Sequence, residues 1–304
     1  MALKLLDSLS LPGDPDKPNE DALGNYDGAA LVLDGATPLG DPLMPGPSDA
    51  AWIAQFGIRR LLAHLKDGAA PSQALEFALA DAEKSFTALR RHPVQEKWQT
   101  PCASMMLVCD PLRPSLAREP ATGTSPSSAL RAQGGGGALE FLWFGDCAAL
   151  VLENTGVSVI GETIHKRGQE AARAKSWAKD RNFSSPLGIL RQDMLGRHRA
   201  ARNHINSGRH WLFSPDVRAA AHVSHTARGL AGGSLLLLAT DGLLALVSDY
   251  GAYSPDSLMA AAKAKGLAAL GEELRAIEDA DAQAEKYPRF KKSDDATAVL
   301  LELI

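Results

Sequence analysis

Short apolar runs alternate with polar turns along most of the chain, and this pattern predicts a protein built on β-strands. The turn-forming pair Gly145-Asp146 joins two of the runs, so we expect hairpins of an antiparallel sheet. The strands predicted in this way are residues 29–33, 103–109, 139–144, 148–153 and 234–240, with a last strand after Asp294-Asp295.

Other stretches carry apolar residues at helical spacing. The predicted helices are residues 51–66, which Ser48 and Asp49 are placed to cap, and residues 72–91, 169–179, 243–247, 257–265 and 267–277. Residues 111–137 are rich in Pro, Ser and Gly and predict a flexible insertion, whereas the polar, basic residues 165–210 predict a lid-like segment. A length of 304 residues allows one large domain or two, and we expect a single domain over residues 1–304.

Composition and charge narrow the classes of partner. Apolar residues make up 45% of the chain, which is enough for a sizeable core. A net charge of −4 creates no field that would attract nucleic acid or an anionic membrane, and no secretory or membrane-spanning segment is apparent. Three cysteines, Cys102, Cys109 and Cys147, lie in apolar runs and are odd in number. We therefore expect buried free thiols and a cytoplasmic protein.

Acidic residues recur where predicted strands end. A single Asp-Gly pair is usually only a turn. However, strands that end at a common sheet edge bring distant carboxylates together, and hard divalent cations prefer such oxygen ligands. The candidate stretches are Asn19-Glu20-Asp21, Asp34-Gly35, Gly145-Asp146, Asp241-Gly242 and Asp294-Asp295.

The order of these motifs carries more information than any one of them. NEDA, a strand ending in DG, a strand-turn-strand with GD, then LLLLATDGL and DDATAVLLEL follow one another from about residue 19 to residue 304. This series resembles that of the PPM family, the protein phosphatase 2C-like metal-dependent serine/threonine phosphatases. The resemblance implies an α+β fold, the four-layer αββα sandwich of two antiparallel sheets flanked by helices.

The resemblance also implies roles for seven residues of this chain. Asp34 looks like the carboxylate that bridges two metal ions, with the carbonyl group of Gly35 beside it. Asp241 and Asp294 look like the remaining ligands of the first ion. Glu20 and Asp21 resemble outer carboxylates that hold metal-bound waters, and Asp146 matches a position that helps to bind a third metal ion in bacterial members.

The implied activity is hydrolysis of phosphoserine or phosphothreonine on proteins. Two Mn²⁺ or Mg²⁺ ions, with a third as a further option, would activate the attacking water, so Asp34 would be a ligand and not a nucleophile. The implied partners are a phosphorylated protein substrate and a Ser/Thr kinase counterpart.

Two positions depart from the family pattern. Family members commonly have an arginine that grips the substrate phosphate where this chain has Asp16, and His or Met after Asp-Gly where this chain has Ala36, followed by Thr37-Pro38. One alternative is therefore a catalytically weak or inactive regulatory or binding module with the same fold. Another is a hydrolase of small-molecule phosphate esters.

Three further patterns point to other chemistry and are weaker. LVLDGAT resembles a haloacid-dehalogenase motif, but the first of its two required aspartates would be Val32. His222 and His225 have the H-x-x-H spacing of metal ligands, without a third ligand nearby, and a surface pair is the simpler interpretation. The basic residues within 165–210 are either a surface for a phosphorylated substrate or an ordinary solvated face.

Overall fold

A computed structural model gives the fold of the chain, and the structure describes residues 1–111, 138–161, 176, 187 and 192–304. Most of the predicted insertion at about 111–137 lies outside these ranges. The same holds for most of the predicted helix 169–179 and for the first part of the lid-like segment at about 165–210.

Ten strands form two five-stranded sheets, and every pair of neighbouring strands is antiparallel among the described residues. The first sheet has the order β1 (Leu3–Leu11), β10 (Ala296–Leu303), β9 (Leu235–Ala239), β6 (Ala148–Glu153) and β7 (Gly156–Ile160). The second has the order β2 (Asp21–Tyr26), β3 (Ala29–Gly35), β4 (Ala103–Cys109), β5 (Ala138–Phe144) and β8 (Ser224–Gly229).

Five α-helices accompany the sheets in the described ranges: α1 (Asp49–Lys66), α2 (Pro71–Leu89), α3 (Gln192–Arg202), α4 (Asp241–Ser248) and α5 (Pro255–Ala280). Short 3₁₀ helices occupy Lys97–Gln99 and Val217–His222. Helix α1 begins as predicted, because the Ser48 side chain accepts a hydrogen bond from the backbone N–H of Ala51. Gly266, at φ 84°, interrupts α5 at the boundary between the two predicted segments.

The alternation of side chains along the strands produces four layers. On β3, Leu31 and Leu33 pack against α1 and α2, whereas Val32 faces the other sheet and meets a core that includes Leu238. On β9, Leu237 faces the opposite way and packs against α4 and α5. Three apolar cores therefore separate helix, sheet, sheet and helix, and the αββα sandwich implied by the resemblance is confirmed.

The strands that the sequence pattern did not predict share one property. The six predicted strands are the interior strands of the two sheets, and the four missed ones, β1, β2, β7 and β8, are the edge strands. An edge strand exposes one side to solvent, so its sequence needs no continuous apolar run. In β8, for example, SHTARG is polar and mostly exposed.

Two other expectations concern burial and hydropathy. Cys102, Cys109 and Cys147 are free and buried, as predicted. In the described part of the chain, no helix combines the length and the apolar character that crossing a bilayer would require.

Candidate metal centre

Three of the predicted carboxylates converge at one end of the sandwich. Asp34 is near the end of β3, Asp146 lies in the turn between β5 and β6, and Asp241 is the first residue of α4, directly after β9. Each side chain offers an oxygen atom, and these atoms lie within 4.8 Å of one another. Asp241 also sits at the positive end of its helix, where a carboxylate is favoured.

The position of Asp34 follows from the pleat of β3. It lies on the same face as Val32 and therefore points between the sheets. The residue directly opposite on β2 is Asp21, so two carboxylates oppose each other across the strands, an unfavourable arrangement. Burial, together with Asp241, Asp21 and Asp146, raises the pKa of Asp34 well above its usual range.

A cation among these side chains would relieve that repulsion. The three converging groups are all carboxylates, which are hard oxygen donors of the kind that Mg²⁺ and Mn²⁺ prefer over softer nitrogen or sulfur ligands. The donor set therefore fits the divalent ions that the sequence implied.

Asp21 is held at the seam between the two sheets. Its carboxylate accepts a hydrogen bond of 2.8 Å from the hydroxyl of Thr240, the residue that follows β9 in the other sheet. Burial raises the pKa of Asp21 well above its usual range. The negative charges of Asp294, Asp295 and Asp241 add to this increase, whereas the hydrogen bond from Thr240 opposes it in part. Thr240 also accepts from the backbone N–H of Thr297, at 3.0 Å.

Glu20 is oriented by hydroxyl groups. Its carboxylate accepts hydrogen bonds from Ser48, at 2.6 Å, and from Thr37, at 2.9 Å, and burial raises the pKa of Glu20. The neighbouring loop is fixed by Asp295, whose carboxylate accepts from the backbone N–H groups of Gly13 and Glu20 at 2.7 and 2.6 Å. These two hydrogen bonds give Asp295 a structural role. The role implied for Glu20, an outer carboxylate that holds metal-bound waters, stays a prediction.

Asp294 lines a cavity together with Asp34, Asp146 and Asp241, but it lies outside the group of three converging carboxylates. Its Oδ1 atom pairs with the Lys291 ammonium group at 2.7 Å. Burial alone would lower the pKa of Lys291, but Asp294, with Asp34 and Glu20, raises it above its ordinary value. Lys291 therefore keeps a positive charge beside the carboxylates, and the predicted role of Asp294 as a ligand stays a prediction.

The glycines after Asp34 and Asp241 are explained by close backbone packing. A Cβ atom on Gly35 would lie 2.5 Å from the carbonyl oxygen of Ala50 and 2.6 Å from that of Glu20. A Cβ atom on Gly242 would collide with the carbonyl oxygen of Asp295. Both positions exclude a side chain, so the backbone next to Asp34 and Asp241 is tightly packed. The predicted contact of the Gly35 carbonyl group with a cation stays a prediction.

Sequence analysis did not single out one side chain that contacts the converging carboxylates. Ser104, on β4 and directly opposite Asp34, donates a hydrogen bond of 2.6 Å to Oδ1 of Asp146. It orients one of the three converging carboxylates and stands beside another. The signal in the sequence was a lone hydroxyl residue in the otherwise apolar run ASMMLVC.

Asp34, Ser104, Asp146, Asp241 and Asp294 line a cavity of about 450 Å³, which we call the acid cavity. Ala36 and Thr37, where the chain departs from the family pattern, both line it, whereas exposed Asp16 is absent from its described lining. The charged side chains of that lining are Asp34, Asp146, Asp241, Asp249, Glu278 and Asp294, with Arg202, Lys286, Arg289 and Lys291.

His222 and His225 do not form a helical metal site, and both are exposed, which agrees with the interpretation as a surface pair. His222 ends a 3₁₀ helix and His225 lies on β8, so the two residues do not share a helix face. The ring of His222 stacks on Trp211, with 3.7 Å between ring centroids.

The sandwich of two antiparallel sheets and flanking helices is a protein phosphatase 2C-like fold, and solved structures confirm this. PstP/Ppp, a serine/threonine phosphatase of Mycobacterium tuberculosis, has a TM-score of 0.55 and 14% identity, over 100% of this chain and 99% of that one. The PstP catalytic domain in complex with two manganese ions has a TM-score of 0.54 and 14% identity, over 99% and 98% of the chains.

A third structure is PppA of Pseudomonas aeruginosa, with a TM-score of 0.51 and 14% identity, over 100% of this chain and 99% of that one. No protein-family model matches the sequence, and no curated protein matches it either. The resemblance to PPM phosphatases is thus confirmed as a likeness of fold.

Proposed function

We propose that this protein is a metal-dependent phosphatase that hydrolyses phosphoserine and phosphothreonine on proteins. The observation that carries the proposal is the approach of Asp34, Asp146 and Asp241 within 4.8 Å. Support comes from the fold, which is shared with serine/threonine phosphatases, one of them solved with two manganese ions.

Asp34 and Asp241 would hold the ions directly, with Asp294 as a further ligand, and Asp146 would hold an additional ion. When bound, two divalent cations would lower the pKa of the attacking water and would neutralise charge on the phosphoryl group. The carboxylates need not attack the substrate, so no covalent intermediate with the protein is required. Ser104 keeps Asp146 in place, and Thr37 and Ser48 do the same for Glu20.

Arg202 would supply the positive charge that Asp16 lacks. Its side chain lines the acid cavity, and its Nη1 atom donates to the carbonyl oxygen of Thr37 at 2.7 Å. A guanidinium group has five N–H donors, so others remain for phosphoryl oxygens. By contrast, Arg289 is paired with Asp281 and Lys291 with Asp294.

The test measures metal content and turnover on the same sample. We expect the full chain with Mn²⁺ to hydrolyse an aryl phosphate and a phosphoserine peptide, and Asp34→Asn and Asp241→Asn to lose both activities and bound metal. Asp27→Asn is the matched control, because Asp27 is an exposed carboxylate in the turn at the far end of the β2–β3 hairpin. Full turnover in both cavity variants would refute the proposal.

A second candidate function is a regulatory or binding module that holds metal without turning over substrate. Two observations favour it: Asp16 lies outside the described lining of the acid cavity, and Ala36 can donate no proton there. The same sample distinguishes this candidate, since it predicts stoichiometric metal with no phosphate release. A panel of small phosphate esters beside the phosphopeptide tests the third alternative, a small-molecule hydrolase.

A further inference from the structure

A second cavity, of about 500 Å³, adjoins the acid cavity. We call it the arginine–tryptophan cavity after Trp143, Arg202, Arg209 and Trp211, which line it. Arg202 lines both cavities, as do Gly145 and Leu212, so one wall separates the two. A ligand in one cavity would therefore lie close to a ligand in the other.

The two cavities differ in charge, because carboxylates outnumber the four basic side chains that line the acid cavity. The described lining of the arginine–tryptophan cavity contains two arginines and three histidines but no carboxylate, whereas six carboxylates line the acid cavity. Arginine keeps its charge at any physiological pH. A concave surface lined by charges of one sign concentrates ligands of the opposite sign. The arginine–tryptophan cavity is thus suited to an anionic group.

Arg209 is available for such a group. It is exposed and makes no ion pair within the described part of the chain. Arg199, on α3, shows the contrast: its guanidinium group donates twice to the carbonyl oxygen of Leu39, at 3.0 and 2.6 Å, and lies over the Trp98 ring. Arg199 therefore acts as a structural residue.

The wall around Arg209 is ordered by specific contacts. The Trp211 ring stacks on His222, and its Nε1 atom donates to the carbonyl oxygen of Gly208 at 3.0 Å. The backbone N–H of Leu212 donates to the Asn206 side chain at 2.8 Å. These bonds order the segment that carries Arg209 before a ligand enters the cavity.

We propose that the arginine–tryptophan cavity binds an anionic side chain of the substrate polypeptide, either an acidic residue or a second phosphorylated residue, within a few positions of the phosphoserine or phosphothreonine. This inference rests on the proposed function, because the phosphorylated residue itself would occupy the acid cavity. An extended peptide advances about 3.5 Å per residue, so neighbouring side chains can reach adjoining cavities. Arg209 would form an ion pair with the anionic side chain, and Arg202 would lie between the two anions.

The experiment measures equilibrium binding with Mn²⁺ present and without turnover. Peptides carry a non-hydrolysable phosphonate analogue of phosphoserine, flanked by neutral residues, by glutamates or by a second phosphonate. We expect the acidic peptides to bind about five- to tenfold more tightly than the neutral peptide, the range for a small number of partly exposed charge pairs. Intrinsic tryptophan fluorescence, to which Trp143 and Trp211 contribute, should change more with the acidic peptides.

Matched variants assign this preference to the cavity. Arg209→Ala should abolish the preference, and Arg209→Lys should retain most of it. Arg228→Ala is the control, because Arg228 is an exposed arginine on β8 outside the described lining of both cavities, and it should bind as wild type does. Thermal melts of all variants establish that they are folded.

The outcomes separate the two proposals. If wild type binds acidic and neutral peptides equally, or if Arg209→Ala keeps the preference, this assignment is overturned even when the corresponding phosphopeptides are hydrolysed. If the preference is present and depends on Arg209 but no phosphopeptide is hydrolysed, the assignment of the cavity is supported and the proposed activity fails. Absence of binding by any peptide counts against both.

Discussion

The two adjoining cavities are built from different parts of the fold. The converging carboxylates of the acid cavity stand on strand ends, on a tight turn and on the first residue of a helix that leaves a strand directly. Most of the arginine–tryptophan cavity comes instead from α3 and the segment that leads from it to β8. The mutually repelling carboxylates thus stand at a strand end, in a tight turn and at a helix start, whereas Arg209 lies on the segment between α3 and β8. The predictions below test that division.

Backbone packing under the acid cavity should give the largest effect. In Gly242→Ala the new Cβ atom collides with the Asp295 carbonyl oxygen, so either α4 or the loop before β10 must shift. We expect the free energy of unfolding to fall by about 3 kcal/mol, the upper part of the range for overpacking. Urea denaturation measures this change. A variant as stable as wild type would show that the backbone there is not tightly constrained.

Removal of the Ser104 hydroxyl should weaken metal binding without removing a ligand. Ser104→Ala frees Oδ1 of Asp146, and loss of such an orienting hydrogen bond typically weakens metal affinity about 10- to 100-fold. Titration with Mn²⁺ followed by calorimetry measures the change. Arg209→Ala, in the arginine–tryptophan cavity, should leave the Mn²⁺ affinity unchanged. An equal loss of Mn²⁺ affinity in the two variants would contradict the difference between the two cavities.

The pH dependence of stability should report the repulsion among the carboxylates. Burial and the neighbouring carboxylates raise the pKa values of Asp34 and Asp21 in the folded chain well above the usual value of 3.8. Above that value the folded state binds more protons than the unfolded state, so the free energy of unfolding falls as the pH rises through the raised pKa values. In EDTA we expect the free energy of unfolding to decrease by up to about 1.4 kcal/mol per pH unit for each additional proton that the folded state binds.

Chemical denaturation at several pH values, with and without Mn²⁺, tests that dependence. Asp34→Asn should flatten the decrease, Mn²⁺ should reduce it, and Asp27→Asn should keep the wild-type slope. An identical slope in Asp34→Asn would show that the acid cavity does not govern it.

The smallest effect is expected beside the arginine–tryptophan cavity. Gly196 lies within α3 and is exposed, and a Cβ atom there would meet no atom of the described residues within 4 Å. Gly196→Ala should therefore stabilise the protein by about 0.5 to 1 kcal/mol through helix propensity. Thermal melts recorded beside those of Gly242→Ala compare the two cavities directly, and destabilisation by Gly196→Ala would contradict the open space around it.

The interior strands of each sheet could be predicted from the sequence, and the edge strands could not. The interior strands are buried on both faces and therefore read as continuous apolar runs, as in SLLLLAT. Edge strands such as β8 form because their backbone pairs with a neighbouring strand. Backbone pairing requires no alternation of apolar and polar residues, so the polar sequence of β8 does not predict a strand. The same limit explains why Asp21, which lies on edge strand β2, was found through its motif rather than through its strand.

The candidate site was predictable to a different extent. Asp34 and Asp241 could be identified from strands that end in Asp-Gly, and Asp146 from a turn. The contacts of Ser104 and Lys291 could not, because a hydroxyl–carboxylate pair 42 residues apart arises only when β4 meets the β5–β6 turn. The pairing of Asp294 with Lys291 is local in sequence, but its burial among other carboxylates depends on the whole fold.

The hydrogen bond between Thr240 and Asp21 joins residues 219 positions apart and links one sheet to the other. Contacts of such long range form only after extensive loop closure, so the acid cavity cannot be complete in any early folding intermediate that contains a single sheet. A metal ion that binds between the sheets would consequently recognise only the fully assembled sandwich. During biosynthesis, metal would therefore bind only after the chain has folded. Bound metal would then slow global unfolding and would not accelerate folding.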